Sequence, residues 1–215
     1  MTKWLYGNSW EKFPIEKNEV WIEENTNSKL AVYDLLDGLP SFMYEADMIY
    51  SDTPWNTGNI TSFYTKAGLK KRCNFNQFYS VIIEHIKAIN PQACYLEIGN
   101  QNFDMVYDTL KGIYPVVQHW DIVYYRKNPN KLIRAGYTKQ EFDFTGIDDE
   151  KTPLLAMQNE NFNCVADMCM GRGLTAIAAY KTNKRFVGTE LNKRRLAVTI
   201  DKIEKLGGVW IKKRV

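Results

Sequence analysis

The chain has 215 residues, 45% hydrophobic and 25% charged, which suits one globular domain spanning residues 1–215 with a full core. No stretch has the length and apolarity of a membrane span, and Met1-Thr2-Lys3-Trp4-Leu5 runs into polar residues where a secretory core would stand, so a cytoplasmic protein is expected. A formal charge of +3 is too small to establish nucleic-acid binding by itself, and Cys73, Cys94, Cys164 and Cys169 with only His85 and His119 show no zinc or disulfide spacing, so no metal site is expected.

Residues 1–29 read as an N-terminal extension with a strand at Glu19-Val20-Trp21-Ile22. Leu30-Ala31-Val32-Tyr33 predicts a buried strand ending at Asp34, followed by a short helix over residues 35–45. Asp47 to Ser51 is the next strand. Residues 53–74, with Pro, Gly, Asn and Thr and the cations Lys66, Lys70, Lys71 and Arg72, read as a mobile loop. Helical spacing of Phe78, Val81, Ile82, His85, Ile86 and Ile89 predicts a helix from Phe75 to Ile89, stopped by Asn90-Pro91. Ala93 to Ile98 is another buried strand, and a helix follows near 101–112. Val116-Val117, Trp120 to Tyr125 and Leu132-Ile133-Arg134 suggest an antiparallel ribbon, and residues 139–152 are acidic and irregular. A helix opens at Pro153. Strand 163–167, helix 173–182, strand 185–189, helix 192–206 and a last strand at Val209-Trp210-Ile211 complete the chain. Strands alternating with helices, plus a hairpin, predict an open, mostly parallel α/β sheet with helices on both faces and ligands at the carboxyl ends of its strands.

Two places carry chemistry. Val165 to Thr175 reads as strand, glycine turn and helix, with Gly171 and Gly173 letting the backbone turn tightly beside a ligand. Glu190 ends the next strand, where an acid can accept hydrogen bonds from both ribose hydroxyls. The three-glycine fingerprint of dinucleotide binders is incomplete, because Thr175-Ala176 stands where a third glycine would be, so an adenosine ligand without pyrophosphate fits better. The plainer alternative is that these glycines merely serve a strand–helix turn. The second place is Asp52-Thr53-Pro54-Trp55, an acidic, proline-stiffened aromatic turn at the end of a strand. Turns of that composition are common without function.

Taken together and in this order, the two motifs resemble those of the amino-directed nucleic-acid methyltransferases of the permuted beta group. Their base-holding motif is usually written Asp-Pro-Pro-aromatic, and their cofactor loop Asp-Pro-Phe-x-Gly-x-Gly-Thr. The resemblance covers residues 30–206 and implies a Rossmann-like fold with circularly permuted motif order. It assigns S-adenosylmethionine contact to Asp167, Cys169, Gly171, Gly173 and Thr175, and ribose binding to Glu190. Lys151-Thr152-Pro153 looks like the family's Lys-Pro element, which adds Lys151. Asp34 falls where the family places an acid near the cofactor adenine, though it suits a helix N-cap equally.

In that reading Asp52 accepts a hydrogen bond from the target amine, a carbonyl of Thr53 or Pro54 accepts the other, and Trp55 stacks the extruded base. Thr53 replaces the family's first proline, which predicts a less rigid turn. An aspartate at the first position favours adenine N6 over cytosine N4. The implied activity is a DNA adenine-N6 methyltransferase of a bacterial or phage-infected cell. Cytosine N4, RNA, or a non-catalytic partner subunit stand as alternatives. Lys66, Lys70, Lys71 and Arg72 would meet phosphates beside the flipped base, and Arg126, Lys127, Lys131, Arg134 and Lys139 would form a second basic strip, with an ordinary solvated face as the alternative for both and an equal one for the second. Only residues 127–150 are available for target recognition, so a short recognition site, a homodimer or a partner subunit is expected to do the reading.

Overall fold

The computed structural model describes residues 6, 8–125 and 128–214. Arg126 and Lys127 of the second basic strip, and Met1 to Leu5, lie outside the described residues.

Nine strands form one sheet: β1 (Glu19–Glu23), β2 (Ser28–Val32), β3 (Met48–Asp52), β4 (Ala93–Ile98), β5 (Val116–Tyr124), β6 (Asn128–Gly136), β7 (Cys164–Asp167), β8 (Arg185–Glu190) and β9 (Trp210–Arg214). Their order is β5-β6-β4-β3-β7-β8-β2-β1-β9. The centre, β4-β3-β7-β8-β2, is parallel throughout. The β5–β6 ribbon adds antiparallel to β4 on one flank, and β1 with β9 closes the other, so the N-terminal extension belongs to the sheet.

The central strands are buried on both sides and read as apolar runs, which is what covering a parallel sheet with helices demands. One face is covered by α2 (Thr57–Lys66), α3 (Phe75–Ile89) and α4 (Phe103–Lys111), with a core that includes Ile49, Ile60, Ile82, Ile86 and Leu96. The other is covered by α1 (Ser9–Lys12), α5 (Thr152–Asn159), α6 (Leu174–Lys181) and α7 (Lys193–Glu204), with Met48, Tyr50, Tyr95, Phe144 and Ile200 in its core. The bounds of α3 are those expected, while its buried face also takes in Tyr79 and Ile83 and leaves Val81 and His85 half-buried. Its N-terminus is closed by a reciprocal pair, Asn74 capping the Gln77 N–H and Gln77 returning to the Asn74 N–H.

Two expectations are corrected. Residues 35–45 form two 3₁₀ turns, Leu35–Asp37 and Ser41–Glu45, because Gly38 at φ 111° and Pro40 interrupt a longer helix. Residues 53–74 are not simply a loop, since α2 occupies their centre. Asn56 caps it through the Asn59 N–H, and the Thr61 and Thr65 hydroxyls bond back to the carbonyls of Thr57 and Thr61.

From β3 the chain moves outward to β4 and β6, whereas β7 leads outward the other way to β8. The boundary between β3 and β7 is therefore a switch point, and its carboxyl end opens a crevice. Five acids stand along that edge, one per parallel strand: Glu97 next to last in β4, Asp52, Asp167 and Glu190 at the ends of β3, β7 and β8, and Asp34 just after β2.

Candidate active site

Two cavities open at this edge and share a wall made of Asp52, Phe63, Cys169, Gly171 and Arg195. The first extends toward Tyr33, Asp34, Tyr64 and Glu190, and the second toward Glu97, Tyr124, Asp149, Asp167 and Thr175. The early acidic turn and the late glycine turn therefore meet, although Asp52 and Asp167 stand 115 positions apart in sequence.

The glycine turn is built from the backbone outward. Gly171 and Gly173 adopt φ of 55° and 78°, the left-handed region that side chains resist. At Gly171 a Cβ would meet nothing nearer than 3.9 Å, so the backbone there is open to a ligand. At Gly173 a Cβ would lie 2.4 Å from the Thr199 methyl, so this glycine serves helix packing, and it lines neither cavity. The Asp167 carboxylate accepts from the Ser51 hydroxyl and the Cys169 N–H, both at 3.0 Å, and Ser51 in turn accepts from the Met168 N–H. Asp167 thus fastens the turn to β3, and burial pushes its carboxyl up to about 6. Glu190 braces the turn from the other side, taking the Gly171 N–H at 2.7 Å and the Asn192 N–H at 2.8 Å. Burial raises the Glu190 carboxyl, and the Arg195 guanidinium opposes that rise.

The acidic turn is held by side chains. Thr53 is buried, its hydroxyl 2.7 Å from the Tyr79 hydroxyl and 3.3 Å from the Glu97 carbonyl that it donates to. The loss of a proline is therefore offset by a hydroxyl anchor, contrary to the expected looseness. Pro54 lines the first cavity. The Trp55 indole N–H donates to Asp52 Oδ1 at 3.0 Å, its ring packs edge-on against Tyr124 at 4.8 Å, and Asn102 holds its carbonyl. Asp52 is solvent-exposed at the wall common to both cavities, with protein crowded around its carboxylate. Burial pushes its carboxyl up to about 7, Trp55 holds it down, and the charges of Asp167 and Asp149 add to the rise. Its Oδ2 has no partner among the described residues.

The remaining predicted residues divide. Thr175 lines the second cavity, whereas Lys151 is exposed and lines neither. Asp34 does cap a 3₁₀ turn, accepting from Leu36 N–H, and it also lines the first cavity. Its carboxylate is further engaged by the Tyr64 hydroxyl and by Arg72, which bridges to Asp37 as well. Arg72 is thus turned inward onto acids. Lys66 lines the second cavity, and Lys70 and Lys71 are exposed. In the second strip Arg134 is buried against Glu160, while Lys131 pairs with Asp121 and Lys139 with Glu141. In segment 127–150, Phe144 and Gln140 are buried, and Asp148 bridges to Val123 of β5.

Sequence reasoning missed Glu97, Asp149, Arg195, Phe63 and Tyr64. Glu97 follows an apolar strand in the same manner as Asp52, and that parallel was its available signal. Arg195 and Phe63 carry no such signal, since their helices reach the site only through tertiary packing. No group of acids, histidines and cysteines among the described residues has the geometry of a metal site.

No family model matches this chain, and no curated protein matches it in sequence. Solved structures do match in fold. TTHA0409 of Thermus thermophilus, provisionally named a DNA modification methylase and complexed with S-adenosyl-L-methionine, is 14% identical, with TM-score 0.59 over 82% of this chain and 93% of that one. M1.HpyAVI in complex with SAM is 14% identical, with TM-score 0.57 over 80% of this chain and 98% of that one. The cytosine-N4-specific PvuII DNA methyltransferase is 8% identical, with TM-score 0.52 over 84% of this chain and 91% of that one. At these identities the likeness is one of fold, and the expected mostly parallel α/β architecture is the one observed.

Proposed function

We propose that this chain transfers a methyl group from S-adenosylmethionine to the exocyclic amine of a base held out of the helical stack, with adenine N6 in DNA as the target. The observation that carries the reading is the common wall of Asp52, Cys169, Gly171 and Arg195 between two cavities at a switch point of the sheet. Three fold neighbours named for DNA methylation or complexed with this cofactor support it.

The first cavity suits the donor. Tyr33, Phe63, Tyr64 and Phe78 give it aromatic walls, and Asp34, Asp52 and Glu190 give it carboxylates, a combination that favours a cationic nucleoside. S-adenosylmethionine would supply a methyl group already activated by a sulfonium centre. Glu190 would hold the ribose hydroxyls with the lone pairs left over from Gly171 and Asn192. The open face of Gly171 would let the chain come close, and the main-chain path past Cys169 would follow it.

The second cavity suits the acceptor. An exocyclic amine is a poor nucleophile because its lone pair is delocalised into the ring. Asp52 Oδ2 can accept one N–H and a carbonyl of Thr53 or Pro54 the other, favouring a pyramidal nitrogen whose lone pair points across the shared wall. The rate advantage is mainly alignment. After transfer the nitrogen carries one proton too many, and Asp52, with its affinity near neutrality, accepts it. Trp55, which lines neither cavity, fixes the carboxylate, and Tyr124 offers aromatic surface to the base in the second cavity. Lys66, Lys70 and Lys71 would meet phosphates, a role Arg72 gives up to Asp34 and Asp37. Part of segment 127–150 is folded into the core, so a second copy or a partner subunit would supply the remaining target reading.

A second reading, cytosine N4, is favoured by the cytosine-specific neighbour. Labelled-methyl transfer to duplex DNA, single-stranded DNA and RNA, followed by nucleoside analysis, decides between them. N6-methyladenine in DNA is the expected product; N4-methylcytosine would select the second reading, and transfer to none would reject both.

A further inference from the structure

Glu97 and Asp52 end adjacent parallel strands and are partners in register. Both line the second cavity, yet Glu97 is only 3% exposed. Its Oε1 receives the Tyr50 hydroxyl at 2.6 Å and the Thr152 hydroxyl at 3.2 Å, and Thr152 is further tied to the Asp149 carbonyl. Its Oε2 has no partner among the described residues and is not among the sealed, unsatisfied polar atoms, so it faces the cavity.

Resting on the base-methylation reading above, we propose that Glu97 in its acid form donates the Oε2 hydrogen to the ring nitrogen next to the target amine. Asp52 and Glu97 then read two neighbouring positions at once, an amine that donates and a ring nitrogen that accepts. Adenine offers this pair at N6 and N1, and cytosine at N4 and N3. Thymine and the Watson–Crick edge of guanine present an N–H at the ring position, which would meet the Glu97 hydrogen head-on. Glu97 is thus a specificity residue for amine-bearing bases, and the pair explains how one site could serve adenine and cytosine chemistry with the same residues.

Two carboxyls this close do not ionise together readily. Burial, and then the charge of Asp52, hold Glu97 well above the usual carboxylate range. The Tyr50 hydroxyl stands 2.6 Å from both Glu97 Oε1 and Thr152 Oγ1, and the arrangement in which it donates to Oε1 leaves the carboxyl hydrogen on Oε2, toward the cavity. The arrangement gives one acceptor and one donor from two residues of the same chemical type, the difference being set by their surroundings.

The test is a cycle between the protein and the base. Transfer to oligonucleotides carrying adenine or 1-deazaadenine is measured as kcat/KM for the wild type, Glu97→Met and Glu97→Gln; if the product is methylcytosine, 3-deazacytosine takes the analogue's place. Replacing the ring nitrogen by C–H should cost the wild type about 30-fold, the scale of one discriminating base contact. Glu97→Met should lose a similar factor on adenine and nothing further on the analogue, because the same contact is removed twice. Glu97→Gln, whose amide N–H replaces the donor, should recover at least about tenfold over Glu97→Met on adenine. Equal use of adenine and the analogue by the wild type would overturn the proposal, as would losses that multiply in Glu97→Met, the pattern of a purely structural residue. If Glu97→Met fails to fold, the wild type and Glu97→Gln against the two bases still decide. Absence of wild-type transfer to any natural base would instead overturn the parent reading, and this one with it.

Discussion

The two turns that close the crevice are held by opposite means. In the glycine turn the backbone sets the shape: Gly171 and Gly173 are left-handed, and Asp167 and Glu190 fasten their neighbours from either side. Met168 and Cys169 contribute through the backbone, their N–H groups donating to Ser51 and Asp167. In the acidic turn the side chains set the shape: Thr53 reaches Tyr79, Trp55 reaches Asp52, and Asn102 reaches the Trp55 carbonyl. Thr53 is fixed there by its hydroxyl, through bonds to Tyr79 of α3 and to the Glu97 carbonyl of β4. Substitutions should therefore act on affinity and stability at the first turn and on turnover at the second.

Asp52→Ala separates the turns most sharply. It should lower methyl transfer by about a thousandfold or more, the loss typical of an electrostatic group acting at the reacting atom, while S-adenosylmethionine affinity measured by calorimetry changes little. Preserved turnover would remove Asp52 from the mechanism. Glu190→Ala should do the reverse and weaken that affinity by about 10- to 100-fold, as expected for hydrogen bonds to a charged acceptor. An unchanged dissociation constant would contradict its ribose role.

Acidity offers a third separation. Asp52 must be ionised to accept the amine hydrogen, and its carboxyl is pushed up to about 7. Single-turnover transfer should therefore rise about tenfold per pH unit below that value and level off above it, and a flat profile between pH 6 and 8 would sink the assignment. Stability should run the other way. The folded pKa values of Asp52 and Asp167, about 7 and about 6, exceed the unfolded ones, so the folded state holds more protons between about pH 4 and 7. Stability carried by these two groups is present at the acid end of that window and is lost as pH rises through it.

Smaller effects are expected from the supports. Gly173→Ala should destabilise the chain by about 2 kcal/mol, since it combines a left-handed backbone with a clash against Thr199, and urea unfolding would show it. Thr53→Val should cost about 1 kcal/mol by removing the anchor to Tyr79. Its larger signature is a several-fold drop in turnover with affinity unchanged.

The sheet was legible because a buried parallel strand must be apolar along its length and must be punctuated where it emerges. Met48 to Asp52, Ala93 to Ile98 and Cys164 to Asp167 obey that rule, and so do the acids that end them. Helix α2 was not legible. Its Gly58, Asn59 and threonines have weak helix propensity, and it forms because Ile60 and Tyr64 are buried against the rest of the fold. The two motif turns were legible from residue type and order. Their shared wall was not, because Phe63 and Arg195 arrive on helices whose docking only the packed structure reveals. Arg134 leaves the expected basic strip for a related reason: a lysine or arginine reads the same in sequence whether it faces phosphate or, like Arg134, an internal glutamate.

A crystal of the wild-type protein with S-adenosylmethionine would probe most directly whether donor and acceptor turns serve a single reaction. The methyl carbon should lie within about 5 Å of the Asp52 carboxylate, the span of one attack distance and one hydrogen bond, with the ribose against Glu190. A bound cofactor whose methyl pointed away from Asp52, or that settled outside the cavity shared by Cys169 and Gly171, would contradict the account.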